Sequence, residues 1–116
     1  MVIKMQEIRV LETKLTTLQE NVLIELNKTY NTPFICKKMG IKPITLSKSI
    51  QSLMKYEFVT ENDLTEKGKK MAHYLEFRNE TILLFLNKHN IPKENDLIIQ
   101  LSKLDYRLII ALKNSI

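Results

Sequence analysis

Six lysines, Lys28, Lys37, Lys38, Lys42, Lys48 and Lys55, lie between Glu25 and Glu57 with no aspartate or glutamate among them. The whole chain carries 18 basic and 13 acidic residues, a net charge of +5. Segment 26–56 contributes +6, so the other 85 residues sum to −1. The chemistry such a field offers is neutralisation of phosphate. Each lysine that meets a phosphate releases condensed counterions, which is the electrostatic footprint of a nucleic-acid binder. A lysine run more commonly means a solvated charged face. Thirty-one consecutive residues without an acid favour the nucleic-acid reading over that one.

Catalytic chemistry has no comparable foothold. With two glycines in the chain there is no phosphate-cradling loop. No Ser/His/Asp set stands at a strand-to-helix turn, and no Cys/His spacing suits zinc. His73 and His89 are 16 residues apart on one expected helix. That spacing separates them by about 24 Å, too far to share a metal. Cys36 is the sole cysteine, expected as a small core residue in a reducing compartment. The chain is therefore expected not to be an enzyme, with no catalytic residues, no cofactor, no metal and no small-molecule substrate.

The elements that must carry the lysines follow from apolar spacing. A length of 116 residues makes one domain, 1–116, the default. Two Gly and three Pro in the whole chain point to a mostly helical protein. Ile8, Leu11, Leu15, Leu18 and Val22 step by 3, 4, 3 and 4, which predicts a first helix ending near 27–30. Thr32 and Pro33 read as cap and first position of a short helix to about Met39. Gly40 fits the left-handed position that ends it, and Pro43 opens the next helix. In that helix Leu46, Ile50, Leu53 and Met54 form the expected buried stripe. Thr45, Ser47, Lys48, Gln51, Ser52 and Lys55 are expected to face out. Phe58–Leu64 reads as a short two-stranded hairpin turning at Glu61, Asn62 and Asp63. Thr65 caps a long helix with core residues Met71, Leu75, Ile82, Phe85 and Leu86, closed by Asn90. Leu97, Leu101, Leu104, Leu108 and Ala111 then predict one last helix over about 93–113.

No continuous apolar run occurs in the first 14 residues, so neither a signal peptide nor a membrane span is expected, and the expected location is the cytoplasm. Fifteen Lys against three Arg, and 14 Ile against two Ala, suggest an A+T-rich genome, as in a low-G+C bacterium or its phage.

This order of elements, with Ile35, Met39, Ile41 and Leu46 at the apolar turn positions and Gly40 between them, resembles the winged helix-turn-helix. Leu64-Thr65-Glu66-Lys67-Gly68 looks like the L-T-x-x-G step after the wing in many bacterial regulators. The segment Ile41–Lys48, with Arg78-Asn79-Glu80 and Phe85-Leu86, resembles the iron-dependent repressor family, in its manganese-transport-regulator branch. The resemblance covers roughly residues 15–108. It implies a metal-sensing regulator, yet Leu15, Leu18, Asn79, Ser102 and Tyr106 stand where that family places ligands, and only Asp105 keeps a charge. A transition-metal site needs several converging donors, so the metal response is expected to be lost.

The expectation is a mostly α winged helix-turn-helix with a short β-hairpin wing and flanking dimerisation helices. The helix-turn-helix spans 32–56, the wing 58–64, and helices for packing and dimerisation 65–116. The function expected is sequence-specific binding of double-stranded DNA by a metal-independent repressor acting as a homodimer. Pro43, Ile44, Thr45, Lys48 and Gln51 are the candidates for base edges or thymine methyls. Thr32, Lys37, Lys38 and Lys55 are the candidates for phosphate, and Lys42, Ser47 and Ser52 complete the face. The dimer is expected along the Ile8–Val22 and Leu97–Ala111 seams. Two alternatives remain open: a winged-helix protein–protein adaptor without DNA binding, and a metal-responsive regulator.

Overall fold

The computed structural model describes residues 15–116, which form six helices. Ile8 and Leu11 of the expected first seam lie outside the described residues. Helix α1 spans Thr17–Lys28. Its start is set by a capping box: Thr16 Oγ1 accepts from Gln19 N–H at 3.2 Å, and Gln19 Oε1 accepts from Thr16 N–H at 3.0 Å. Leu15 therefore precedes the cap and is not part of α1, which corrects the seam expected to run through it. Val22 of that seam is fully buried, so it is not free to meet a second chain.

Helix α2 spans Thr32–Met39 and α3 spans Pro43–Lys55. The cap of α2 is Asn31, one residue earlier than expected, because its side-chain oxygen accepts from Phe34 N–H at 3.1 Å. Gly40 closes α2 at φ 65°, and Ile41 N–H reaches back to Cys36 O at 3.1 Å. Helices α1, α2 and α3 pack on one another. Their core holds Val22, Leu23, Leu26, Ile35, Leu46 and Leu53.

Beyond α3, Glu57 turns the chain at φ 64° and Phe58 N–H bonds to Leu53 O at 2.9 Å. The expected two-stranded wing is not formed. A single antiparallel bridge joins Val59 to Leu64, flanked by Thr60 N–H to Asp63 O at 2.7 Å and Thr65 N–H to Phe58 O at 2.9 Å. The ladder stops there for a local reason. On one side the chain is still leaving α3, and on the other Thr65 is already capping helix α4, Glu66–Lys88. Thr65 Oγ1 accepts from Gly68 N–H at 3.0 Å and donates to Glu57 O at 2.7 Å. No residue is left to lengthen either strand.

Two compact units make up the described residues, one ending at His73 and the other beginning at Tyr74. In the second, Ile82, Leu86 and Ile109 are fully buried, with Phe77, Phe85, Ile91 and Leu97 among those packed around them. Asn90, at φ 54°, ends the long helical run, and Ile91 N–H bonds to Leu86 O at 2.9 Å.

The single last helix expected over 93–113 is two: α5 spans Asn95–Ser102 and α6 spans Tyr106–Asn114. Asp105 makes the break, because its carboxylate accepts from Arg107 N–H at 2.8 Å and caps α6. The 4-3-4-3 spacing of Leu97–Ala111 is thus not one helical face. Leu108, expected on the seam, is 51% exposed, while Ile109 is buried. No described helix is long and apolar enough to cross a membrane.

Candidate nucleic-acid interface

Helix α3 presents two distinct faces. Leu46, Ser49 and Leu53 are buried, at steps of 3 and 4. Ile44, Lys48, Gln51 and Lys55, at steps of 4, 3 and 4, are exposed on the side away from that stripe. Two expected core positions move. Ile50 is half-buried, and Met54 is 37% exposed, while the small Ser49 is buried beside Leu46 and Leu53 on the inward stripe. Thr45 and Ser52, expected to face out, are half-buried on the far flank. Cys36, expected in the core, is half-buried as well and is a free thiol.

The outward stripe carries no carboxylate. Among the described residues, Lys48 and Lys55 pair with no acid, and neither do Lys37 and Lys42 nearby. Lys38 differs: its Nζ lies 2.9 Å from Glu25 Oε1. Lys28 also approaches Glu25, at 3.8 Å. Sequence reasoning missed Glu25 because it stands just outside the acid-free stretch and reaches Lys38 through space, 13 positions along the chain. The N-terminus of α3 is electropositive for two reasons. Lys42 is its cap residue but gives no side-chain cap bond, and the first turn contains no acid. The amides there keep the positive end of the helix dipole open to an anion.

Thr32, Pro43, Ser47 and Gln51 also line a groove between α2 and α3, where Pro43, Ser47 and Gln51 remain exposed and Thr32 is half-buried. The groove has a volume of about 780 Å³ and is walled by Tyr30, Pro33, Cys36, Leu46, Ile50, Met54 and Glu61 as well. Tyr30 O–H donates to Thr60 O at 2.9 Å, fixing the turn that carries Glu61. Burial, then the Asp63 and Glu61 carboxylates, push the Tyr30 phenol above its ordinary value and keep it protonated. Neither Tyr30 nor the exposed Phe34 has a sequence signal that would have assigned it to this region.

The lysines after the turn have local duties. Lys67 Nζ donates to Tyr56 O at 3.0 Å and lies 5.2 Å from the centre of the Phe58 ring. Lys69 meets Glu66 at 3.6 Å, on the surface. The positions that the resembled family uses for metal are occupied otherwise. Asn79 Oδ1 accepts from Arg78 Nη2 at 2.9 Å, Ser102 Oγ donates to Ile99 O at 2.6 Å, and the Tyr106 ring packs 5.6 Å from that of Tyr74. Asp105 caps α6 and meets Arg107 Nε at 3.2 Å. Among the described residues no three His, Cys, Asp or Glu side chains converge on one point. His73 and His89 are both exposed, and the His89 ring lies 4.6 Å from that of Phe85.

No protein-family model matches the chain, and no curated protein sequence does.

Proposed function

We propose that this chain is a sequence-specific regulator of winged helix-turn-helix type that binds double-stranded DNA as a homodimer in the cytoplasm, with α3 as its recognition helix. The observation that carries this reading is the outward stripe of α3. Ile44, Lys48, Gln51 and Lys55 lie opposite the buried residues, carry positive charge without an acid, and form a surface one helix wide. A B-form major groove admits one helix, N-terminal residues first. Ile44, 62% exposed at the start of α3, suits a thymine methyl. Gln51, one turn or more further on, suits adenine. Lys37, Lys42 and Lys55 suit flanking phosphates, which set register and not sequence. The shortened hairpin and its acidic tip, Glu61 and Asp63, leave readout to α3 alone. Repression by covering a promoter is the outcome such a module produces without any effector.

A metal-responsive regulator has less support, because the residues at the ligand positions are hydrogen-bonded or packed in other roles. A protein–protein adaptor keeps a specific observation in its favour: Phe34, Ile44 and Met54 are all large apolar residues with substantial exposure on α2 and α3. Selection of bound fragments from random DNA, followed by anisotropy titration against salt, separates the two. With Lys37, Lys42 and Lys55 of each protomer on phosphate, a dimer gives a log–log slope of roughly −5. A slope shallower than about −2 with no preferred site would favour the adaptor.

A further inference from the structure

Both seams expected to join two chains are lost to folding: Val22 is buried in its own core, and Leu97–Ala111 is split between two helices. A different surface answers to the charge pattern a second copy requires. In its second half α4 buries Leu75, Arg78, Ile82 and Leu86. Glu80, Leu83, Leu84, Asn87 and Lys88 are exposed on the other side. Leu83 is 41% exposed and Leu84 38%, two large apolar side chains next to each other on a helix surface.

Glu80 and Lys88 stand four residues before and four residues after Leu84, one on each side at about 6 Å along the axis. Residues four apart share a face, so acid, leucine and lysine form one row. A two-fold axis that crosses α4 at Leu84 runs two copies of the helix antiparallel. Glu80 of one copy then comes level with Lys88 of the other, and the reverse pair forms at the same time. Both groups are available for it. Among the described residues Glu80 has no ion pair. Lys88 Nζ donates to Ser115 O at 3.1 Å, a neutral partner that leaves two of its three protons. The remaining exposed apolar residues of α5 and α6 lack this pattern. Ile99 lies on α5, whose one charge is Asp96, and Leu108 on α6, whose charges are Arg107 and Lys113. Neither helix carries both signs with which to match itself.

We propose that the row Glu80–Leu84–Lys88, widened by Leu83, is the face through which two copies of this chain associate, with their α4 helices antiparallel about Leu84. The leucines supply the apolar contact, and the two crossed charge pairs fix direction and register. The proposal rests on the homodimer of the preceding reading and gives it a face; DNA binding through α3 does not enter it.

Sedimentation of the full chain across micromolar concentrations, without DNA, is the test. The wild type is expected to show a reversible equilibrium between one chain and two. Leu84→Asp, which sets two carboxylates against each other at the axis, is expected to leave one chain only. Glu80→Lys and Lys88→Glu are each expected to weaken association by about tenfold, because each brings like charges level at two places. The double variant Glu80→Lys/Lys88→Glu restores opposite charges and is expected to return to within about threefold of the wild type. A loss caused only by removing the bond from Lys88 to Ser115 O would not be rescued in this way. Circular dichroism checks that the variants, all at exposed positions, keep their helical content. A wild type that stays a single chain would overturn the face and the homodimer together. A dimer indifferent to Leu84→Asp would overturn the face and leave the homodimer standing. Single reversals without effect, or a double variant no better than either single one, would overturn the antiparallel pairing.

Discussion

Lys38 Nζ and Glu25 Oε1 stand 2.9 Å apart, which separates Lys38 from the other lysines of α2 and α3. Lys37, Lys42, Lys48 and Lys55 have no acid against them among the described residues, whereas Lys38 must leave Glu25 before it can meet a phosphate. The pair is partly exposed, so its contribution to stability is under about 1 kcal/mol. Its effect on binding is larger than that. Glu25→Gln is expected to free Lys38 and steepen the salt dependence of DNA binding by about 0.9 log units per protomer. Anisotropy titration across salt concentrations measures it. An unchanged slope would mean that Lys38 does not reach DNA.

Base readout and phosphate positioning are separable by mutation. Gln51→Ala and Ile44→Ala are expected to weaken the selected site by about 1–3 kcal/mol and random DNA hardly at all. Lys37→Ala is expected to weaken both equally and to reduce the salt slope by about 0.9 per protomer. Parallel titrations with selected and scrambled duplexes give the comparison. Equal losses on both duplexes for Gln51→Ala would remove α3 as the reader of sequence.

Gly68 has a purely steric role. A Cβ built there would lie 1.9 Å from Phe58 O, which is backbone and cannot rotate away. Glycine to alanine inside a helix ordinarily stabilises by about 1 kcal/mol. Here the sign reverses, because α4 must move off Phe58 and Thr65 must loosen its bonds to Glu57 and Phe58. Gly68→Ala is expected to destabilise by about 3 kcal/mol in urea unfolding. A stabilised variant would show that the crossing of α4 over Phe58 is wrong.

Tyr30 sets an alkaline limit. Its phenol titrates above the ordinary value of 10.0 in the folded chain, through burial and then Asp63 and Glu61. The folded state therefore holds this proton more tightly than the unfolded chain. The resulting stability is fully present below the unfolded value and is lost as pH rises through the folded one. Tyr30→Phe is expected to remove the bond to Thr60 O, lowering stability by about 1 kcal/mol at neutral pH. The gap between variant and wild type should narrow above about pH 10. Urea unfolding at stepped pH tests both statements, and a gap that widens in alkali would contradict the assigned environment.

DNA binding is expected not to depend on divalent metal. Asn79, Ser102, Asp105 and Tyr106 are engaged in bonds or ring contacts of their own, and none is a strong donor except Asp105, which caps α6. Gel shifts with chelator, then with added Mn²⁺, Fe²⁺, Zn²⁺ or Co²⁺, are expected to coincide. Loss in chelator with saturable rescue by one metal would restore the metal-sensing alternative.

The caps and the local turns were legible in the sequence, because they depend on residues within a few positions of one another. Gly40 adopts the left-handed conformation expected of it, Asn90 closes the long helix as expected and does so at φ 54°, and Thr65 caps α4 as its position before Glu66 implies. Leu46 and Leu53 are buried because their spacing leaves α3 no other face to bury. The acid-free charge of segment 26–56 is likewise a property of composition alone.

Tertiary structure decided what composition and periodicity leave degenerate. Apolar spacing of 4-3-4-3 ran unbroken from Leu97 to Ala111, but a spacing rule counts leucines and is blind to Asp105, whose carboxylate ends one helix and begins another. The wing was reduced to one bridge because α3 and α4 use the residues on either side, a competition between neighbouring elements that strand propensity does not register. The tie between Lys38 and Glu25, and the groove that brings Tyr30 and Glu61 to the flank of α3, required chain segments far apart in sequence to meet. Helix type follows from local chemistry. Which lysine remains free, and which surface becomes a cavity, follow only from packing.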